Sequence, residues 1–150
     1  MFLGTHQART DAKSRLSVPA AFRRSLEGQG QQRVVLAPSL TNPAIHCFPL
    51  PVWHARMQRL ASLAQSDPLV DHVKKFQVAM ASDCEPDSHG RILIGAELRE
   101  FAALDVAADV AVVGQGQTFD LWAAGAWQSA QAEARAALRG QAARLAELGL

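Results

Sequence analysis

The sequence predicts an α+β fold, mostly β, in which two copies of one small unit form a single pseudo-twofold barrel. Two helices are expected to link the copies and one helix to follow them. Three observations predict this fold. A chain of 150 residues with 49% hydrophobic and 19% charged side chains suits one globular core. One motif occurs twice, and short apolar stretches alternate with polar residues as in half-buried strands.

The repeated motif spans residues 11–23 (DAKSRLSVPAAFR) and residues 87–99 (DSHGRILIGAELR). Both copies begin with aspartate, carry arginine four residues later, and place apolar side chains at matching positions. The likeness continues downstream, from 33–38 to 109–114 and from 45–53 to 119–127. The sequence therefore predicts a tandem duplication.

Each copy is expected to form strand, strand, short helix, strand, strand. Leu16 and Val18 alternate with polar residues, which indicates a half-buried strand. Phe22 and Leu26 then fall four residues apart, on one face of a short helix. The last two strands of each copy are predicted at 34–36, 45–48, 110–113 and 119–122.

A unit this small lies close to the lower limit for independent folding, and its edge strands would invite pairing. The two units, assigned to residues 5–51 and 81–124, are therefore expected to interleave into one body rather than fold as separate beads.

The remaining chain is predicted to be helical. Residues 52–80 are expected to form a two-helix linker, and residues 125–150 a C-terminal segment with one helix from about Ala126 to Leu148. The apolar face of the second linker helix would consist of Leu69, Val73, Phe76 and Met80.

Composition excludes several classes of protein. No apolar stretch approaches the roughly 18 residues that cross a bilayer, and the opening residues lack the apolar core of a signal peptide. We therefore expect a cytoplasmic protein with no membrane partner. Cys47 and Cys84 are too few for a disulfide framework, so we assign them to packing.

No motif typical of an enzyme is found in the sequence. His46 and Cys47 would point to opposite faces of a strand, which is poor geometry for one metal ion. Asp83, Glu85 and Asp87 are ascribed to a solvated surface. We expect no catalytic activity, no metal or other cofactor, and no small-molecule substrate.

Charge is divided unevenly along the chain. Residues 1–75 hold ten Lys/Arg against four Asp/Glu, whereas residues 76–150 hold five against ten. A net charge of +1 argues against indiscriminate coating of nucleic acid, but it leaves room for one locally basic face.

An Asp-x-x-x-Arg element stands at the head of each copy, from Asp11 to Arg15 and from Asp87 to Arg91. Aspartate at the head of a tight turn accepts a hydrogen bond from the backbone two residues on, which accounts for the aspartate but not for the arginine. Two explanations of the arginine stay open. It pairs with the aspartate, which is worth about 0–1 kcal/mol at a surface, or it binds an anionic partner.

Other basic residues surround the first element. Arg9, Lys13 and Arg15 alternate, so on an extended segment their side chains would share one face. Arg23 and Arg24 follow on the helix behind. Such an arrangement could follow a phosphate backbone.

These residues together resemble the MraZ family, whose members are bacterial transcriptional regulators with two AbrB-like (SpoVT-AbrB) swapped-hairpin units in one chain. The resemblance rests on the two Asp-x-x-x-Arg-(apolar)-x-(apolar) motifs, on the opening MFLG, and on PLPVW at 49–53. It covers nearly the whole chain.

The resemblance implies a barrel of double-psi type and sequence-specific binding to double-stranded DNA. It implies short, closely spaced repeats as the target, upstream of the division and cell-wall gene cluster that includes the regulator's own gene. It also implies a homo-oligomer, such as a ring, on the nucleoid. The DNA-facing positions would be Asp11, Lys13, Arg15, Asp87 and Arg91.

Two departures from the family pattern bear on the site. Ser14 stands where glycine or asparagine is usual and accepts a left-handed conformation less readily than Gly90, so the first turn is expected to differ in shape. The second copy has His89 in place of Lys13, so the first repeat is expected to dominate binding.

A rival interpretation is an oligomeric protein–protein interaction module without specific DNA binding. In that case the Asp11–Arg15 element merely holds its turn, and the leucines of the C-terminal helix matter more for function than the arginines do. These leucines are Leu138, Leu145 and Leu148.

Overall fold

The computed structural model describes residues 1–30 and 32–150. The strands are β1 (Thr5–Arg9), β2 (Arg15–Ser17), β3 (Val34–Pro38), β4 (Ala44–Pro49), β5 (Ser82–Cys84), β6 (Arg91–Leu93), β7 (Asp109–Gly114) and β8 (Phe119–Ala123). The helices are α1 (Ala20–Glu27), α2 (Leu50–Ser62), α3 (Pro68–Val73), α4 (Ala96–Phe101), α5 (Ala124–Leu138) and α6 (Ala142–Glu147). The predicted order of strand, strand, helix, strand, strand is present in both copies.

The two copies interleave through their strands. Six strands form one antiparallel sheet in the order β1-β7-β8-β4-β3-β5, and β2 pairs with β6 in a separate two-stranded ribbon. β1 of the first copy pairs with β7 of the second, and β5 of the second pairs with β3 of the first. The α+β class with a mostly antiparallel sheet is thereby confirmed, whereas closure into a double-psi barrel stays a prediction.

A pseudo-twofold axis relates the copies. It passes through the ribbon where Leu16 faces Ile92, and through the main sheet where His46 faces Asp120. Each of these pairs joins equivalent positions of the duplicated unit. The axis therefore links the centre of the ribbon to the centre of the main sheet.

The main core lies between the inner face of the six-stranded sheet, the ribbon and helices α1 and α4. Leu16 and Ile92 from the ribbon are fully buried there, and Phe22 of α1 packs against Phe2 and Phe119 with ring centroids 5.2 and 5.3 Å apart. Burial of large apolar side chains from both copies in one cluster explains why neither copy would be stable alone.

Helices α2 and α5 cover the outer face of the main sheet. Trp53 of α2 packs on Phe48, and Trp127 of α5 packs on Trp122. The two helices occupy equivalent places, since each follows the last strand of its copy. His46 and Asp120 lie between these two covered areas.

The predicted apolar face of the second linker helix is wrong at its start but right at its end, where Met80 packs against the main core. Leu69 is 68% exposed, and the buried side chains are Val70 and Gln77. The α-helix gives way to a π-helical turn at Lys74–Val78, which shifts the side chains that follow around the helix axis. Gln77 then donates from Nε2 to the carbonyl of Pro38 at 2.9 Å.

The single C-terminal helix expected from Ala126 to Leu148 is also wrong, because α5 ends at Leu138 and α6 starts at Ala142. Arg139 is extended and Gly140 has φ +74°, a left-handed conformation that terminates an α-helix.

Among residues 1–30 and 32–150, no helix is both long enough and apolar enough to cross a bilayer.

Candidate nucleic-acid interface

The first Asp-x-x-x-Arg element forms a closed turn between β1 and β2. Asp11 Oδ1 accepts hydrogen bonds from the backbone N–H of Lys13 and of Arg15, both at 2.9 Å. Asp11 Oδ2 accepts from Arg15 Nε at 2.8 Å. The pKa of Asp11 is lowered, chiefly by the bond from the Arg15 N–H. One carboxylate therefore holds both the turn and the arginine side chain.

The second element repeats this geometry between β5 and β6. Asp87 accepts from the backbone N–H of His89 at 2.9 Å and of Arg91 at 3.0 Å, and from Arg91 Nε at 2.8 Å. The bond from the Arg91 N–H is the main cause that lowers the pKa of Asp87 to about 2. The intramolecular Asp–Arg pair left open by the sequence thus forms in both copies.

The expected difference in shape between the two turns is wrong. Ser14 has φ +62° and Gly90 has φ +72°, so serine adopts the same left-handed conformation as glycine. Each of these residues also offers its carbonyl to the other copy, Ser14 to the N–H of Ile94 and Gly90 to the N–H of Val18, both at 3.0 Å. These hydrogen bonds between the copies fix the backbone of both turns, and they hold Ser14 in its strained left-handed conformation.

The ribbon brings Arg15 and Arg91 onto one surface. Antiparallel pairing places Arg15 opposite Leu93 and Ser17 opposite Arg91, and alternation along the strands puts all four side chains on the outer face. The two arginines occupy diagonal positions, and the Cα atoms of diagonal neighbours in an antiparallel pair are about 7–8 Å apart. We call this surface, made of Arg15, Ser17, Arg91 and Leu93, the ribbon face.

Both arginines remain accessible although each is paired with an aspartate. Their side chains are 31% and 28% exposed. The aspartates take only Nε, and within the described residues neither Nη atom of either arginine has a hydrogen-bond partner. Each guanidinium group is therefore oriented by its aspartate and keeps donors available to a ligand.

The remaining basic residues are spread around the turns. Lys13 is exposed at the first turn. Arg9 is exposed on β1 and pairs with Asp109 at 3.2 Å. The expectation that Arg9, Lys13 and Arg15 share one extended face is wrong, because the turn at Asp11 reverses the chain between β1 and β2.

The two arginines of α1 differ. Arg24 is exposed. Arg23 donates from Nη1 to the carbonyl of Val18 at 2.9 Å, and its Cδ lies 2.5 Å from the point where a Cβ of Gly90 would stand. Arg23 therefore packs over the second turn and supports it.

Comparison with known proteins decides the family. The model of the family described as "MraZ protein, putative antitoxin-like" matches residues 1–75 and again residues 78–148. The chain belongs to the MraZ family. The two matches each contain one copy of the duplicated unit, which confirms the repeat predicted from the sequence.

Similar proteins carry the MraZ name. The chain is 34% identical over 144 residues to the transcriptional regulator MraZ of Nitrosococcus oceani, covering 96% of this chain and 95% of that one. It is 36% identical over 127 residues to the MraZ protein of Pectobacterium carotovorum and 35% identical over 127 residues to that of Yersinia pestis. Each of these two alignments covers 85% of this chain and 82% of the relative.

The structure of this MraZ-family chain also shows a polar pair that sequence reasoning missed. His46 and Asp120 meet on the outer face of the main sheet, with Nδ1 and Oδ1 3.8 Å apart. His46 Nε2 lies 2.8 Å from Thr118 Oγ1, whereas Asp120 Oδ1 is buried without a hydrogen-bond partner among the described residues. His46 and Asp120 occupy equivalent positions of the duplicated unit, and this correspondence is the feature of the sequence that could have predicted their contact.

Burial moves the two pKa values in opposite senses. The pKa of His46 is lowered to about 4, first by burial and then by the charge of Arg56. Burial raises the pKa of Asp120 to about 6. This pair lies on the opposite side of the core from the ribbon face, and its buried charges bear on stability.

Proposed function

We propose that this chain is a sequence-specific DNA-binding transcriptional regulator that binds short direct repeats as a homo-oligomer. Its targets would lie upstream of the division and cell-wall gene cluster, including its own gene, and it would act on the nucleoid. The observation that carries the proposal is the ribbon face, on which two oriented guanidinium groups, one from each copy, occupy diagonal positions. The name of its relatives, transcriptional regulator MraZ, agrees with this role.

The geometry suits the major groove of DNA. That groove admits a two-stranded β-ribbon, and its guanine edges present two acceptors that match an arginine fork. Because Asp11 holds Nε of Arg15, the side chain loses little further freedom when its Nη atoms reach a base. A bidentate contact to guanine is worth about 1–3 kcal/mol of discrimination against the wrong base.

The other basic residues would add affinity without specificity. Lys13, Arg9 and Arg24 are exposed and would contact phosphates, and Arg23 would act through the second turn. Each phosphate contact would make binding more sensitive to salt.

Assembly would multiply the few contacts of one protomer. Linked sites gain roughly 10² to 10⁴ in apparent affinity without any new contact, which suits a nearly neutral protomer and repeated DNA elements. Leu138 and Leu148 are exposed on the C-terminal segment and are available for packing between protomers. The proposed domain division keeps units 5–51 and 81–124, joined by 52–80 and followed by 125–150.

The test is a titration of a fluorescent duplex from the region upstream of the protein's own gene, read by anisotropy. We expect Arg15→Ala to weaken binding at least tenfold and Arg91→Ala to weaken it less. Arg144→Ala, at an exposed arginine of α6 that pairs with Glu147, is the matched control and should bind as wild type. Unchanged binding by Arg15→Ala, or affinity that does not fall as salt rises, would contradict the proposal.

A further inference from the structure

The ribbon face is symmetric in its backbone but not in its side chains. The pseudo-twofold axis exchanges Arg15 with Arg91, so these two positions match. The axis also exchanges Ser17 with Leu93, and at these two equivalent positions the side chains differ. Leu93 is 58% exposed, directly opposite Arg15 across the ribbon and two residues from Arg91 along its own strand.

A ligand that covers the ribbon face has to match leucine and arginine together. The neighbours of Leu93 on the face are two arginines, so the ligand must offer acceptor atoms and an apolar group side by side. In the major groove, the C5-methyl group of thymine is the apolar group, and the N7 and O6 atoms of an adjacent guanine are acceptors. Phosphate contacts alone would give an apolar side chain beside the arginines no role.

Building on the proposed function, we infer that Leu93 is a specificity-determining residue that contacts a thymine methyl group beside the guanine bound by Arg15. The equivalent Ser17 makes no such contact. A scaffold with a pseudo-twofold axis would otherwise favour an inverted repeat. With leucine on one side only, each DNA element is read in one orientation, which suits direct repeats.

The expected effect is small and specific. Burial of one methyl group changes affinity roughly fourfold. Replacing the contacted thymine by deoxyuridine removes only this methyl group and leaves base pairing intact. Leu93→Ser makes the two halves of the ribbon face alike and should remove the sensitivity to that replacement.

The experiment starts from the duplex that the wild-type full-length protein selects from a random-sequence library. Each thymine of that duplex is replaced in turn by deoxyuridine, and affinities are measured for wild type, Leu93→Ser and Leu69→Ser. Leu69 is an exposed leucine on α3, outside the ribbon, and serves as the matched control. Thermal melting checks that all three proteins are folded.

We expect one thymine at which deoxyuridine weakens the wild type and Leu69→Ser about fourfold but leaves Leu93→Ser unchanged. If no thymine in the selected duplex shows this sensitivity, or if Leu93→Ser shows it as strongly as wild type, the inference is wrong while the proposed function stands. If the wild type selects no sequence at all, the proposed function itself fails.

Discussion

The His46–Asp120 pair allows a quantitative prediction about stability and pH. Both groups lie on the outer face of the main sheet between α2 and α5, and each titrates at a different pH in the folded and unfolded states. The perturbation is to remove one group at a time. His46→Gln keeps a side chain that can bond to Thr118 Oγ1, and Asp120→Asn keeps the shape of the carboxylate.

The two groups act with opposite sign. The pKa of His46 rises from about 4 to 6.5 on unfolding, so between these values the unfolded chain binds more protons and stability increases with pH. The pKa of Asp120 falls from about 6 to 3.8 on unfolding, so over this range the folded chain binds more protons and stability decreases as pH rises. In the wild type the two effects largely cancel.

The magnitude follows from the difference between the folded and unfolded pKa values. A tenfold change in a proton-binding constant corresponds to about 1.4 kcal/mol. The change for buried Asp120, from 3.8 to about 6, therefore amounts to about 3 kcal/mol in the free energy of unfolding. The half-buried His46 contributes somewhat less, because solvent screens it in part.

The assay is urea unfolding at pH 4, 5, 6 and 7, followed by tryptophan fluorescence. Relative to wild type, His46→Gln should lose stability as pH rises from about 4 to 6.5, and Asp120→Asn should gain stability as pH rises from about 4 to 6. His54→Gln, at an exposed histidine of α2, is the control and should follow the wild type. If His46→Gln and Asp120→Asn both stay parallel to the wild type, the pair does not titrate as the structure indicates.

Two glycine substitutions test close approaches, with Gly125→Ala as their common control because open space surrounds that helical residue. Gly90→Ala, at φ +72° and against the Arg23 stem, should cost about 1–2 kcal/mol and weaken DNA binding, measured by urea unfolding and anisotropy. Gly114→Ala would place a Cβ 2.4 Å from the Phe2 carbonyl oxygen and should release Phe2, at a cost of about 1.5–3 kcal/mol. If either substitution lowers the free energy of unfolding no more than Gly125→Ala does, the packing described at that site is refuted.

Features that depend on a few neighbouring residues were accessible from the sequence. The turn from Asp11 to Arg15 closes its hydrogen bonds within five residues, so its motif is visible in the chain. The same holds for α1, whose buried face follows from the spacing of Phe22 and Leu26. Because the second copy repeats these local patterns, the duplication and the order of elements could be predicted.

Two predictions from the sequence were wrong because contacts with residues distant in the chain overrule the local conformational preference. Ser14 adopts the conformation of glycine because the opposite copy bonds to its carbonyl. The π-helical turn buries Gln77 in place of the apolar face that spacing alone predicts. Neither partner, Ile94 nor Pro38, is close in sequence.

The sequence by itself determined that this protein has two like units, each headed by an aspartate with an arginine four residues later. Only the tertiary structure decided that each aspartate binds its own arginine and that both arginines share one face with Leu93. It also decided that His46 meets Asp120. The physical reason is that strand register between copies is set by the burial of side chains from the whole chain, such as Leu16 against Ile92. Local hydrogen bonds carry no information about that register.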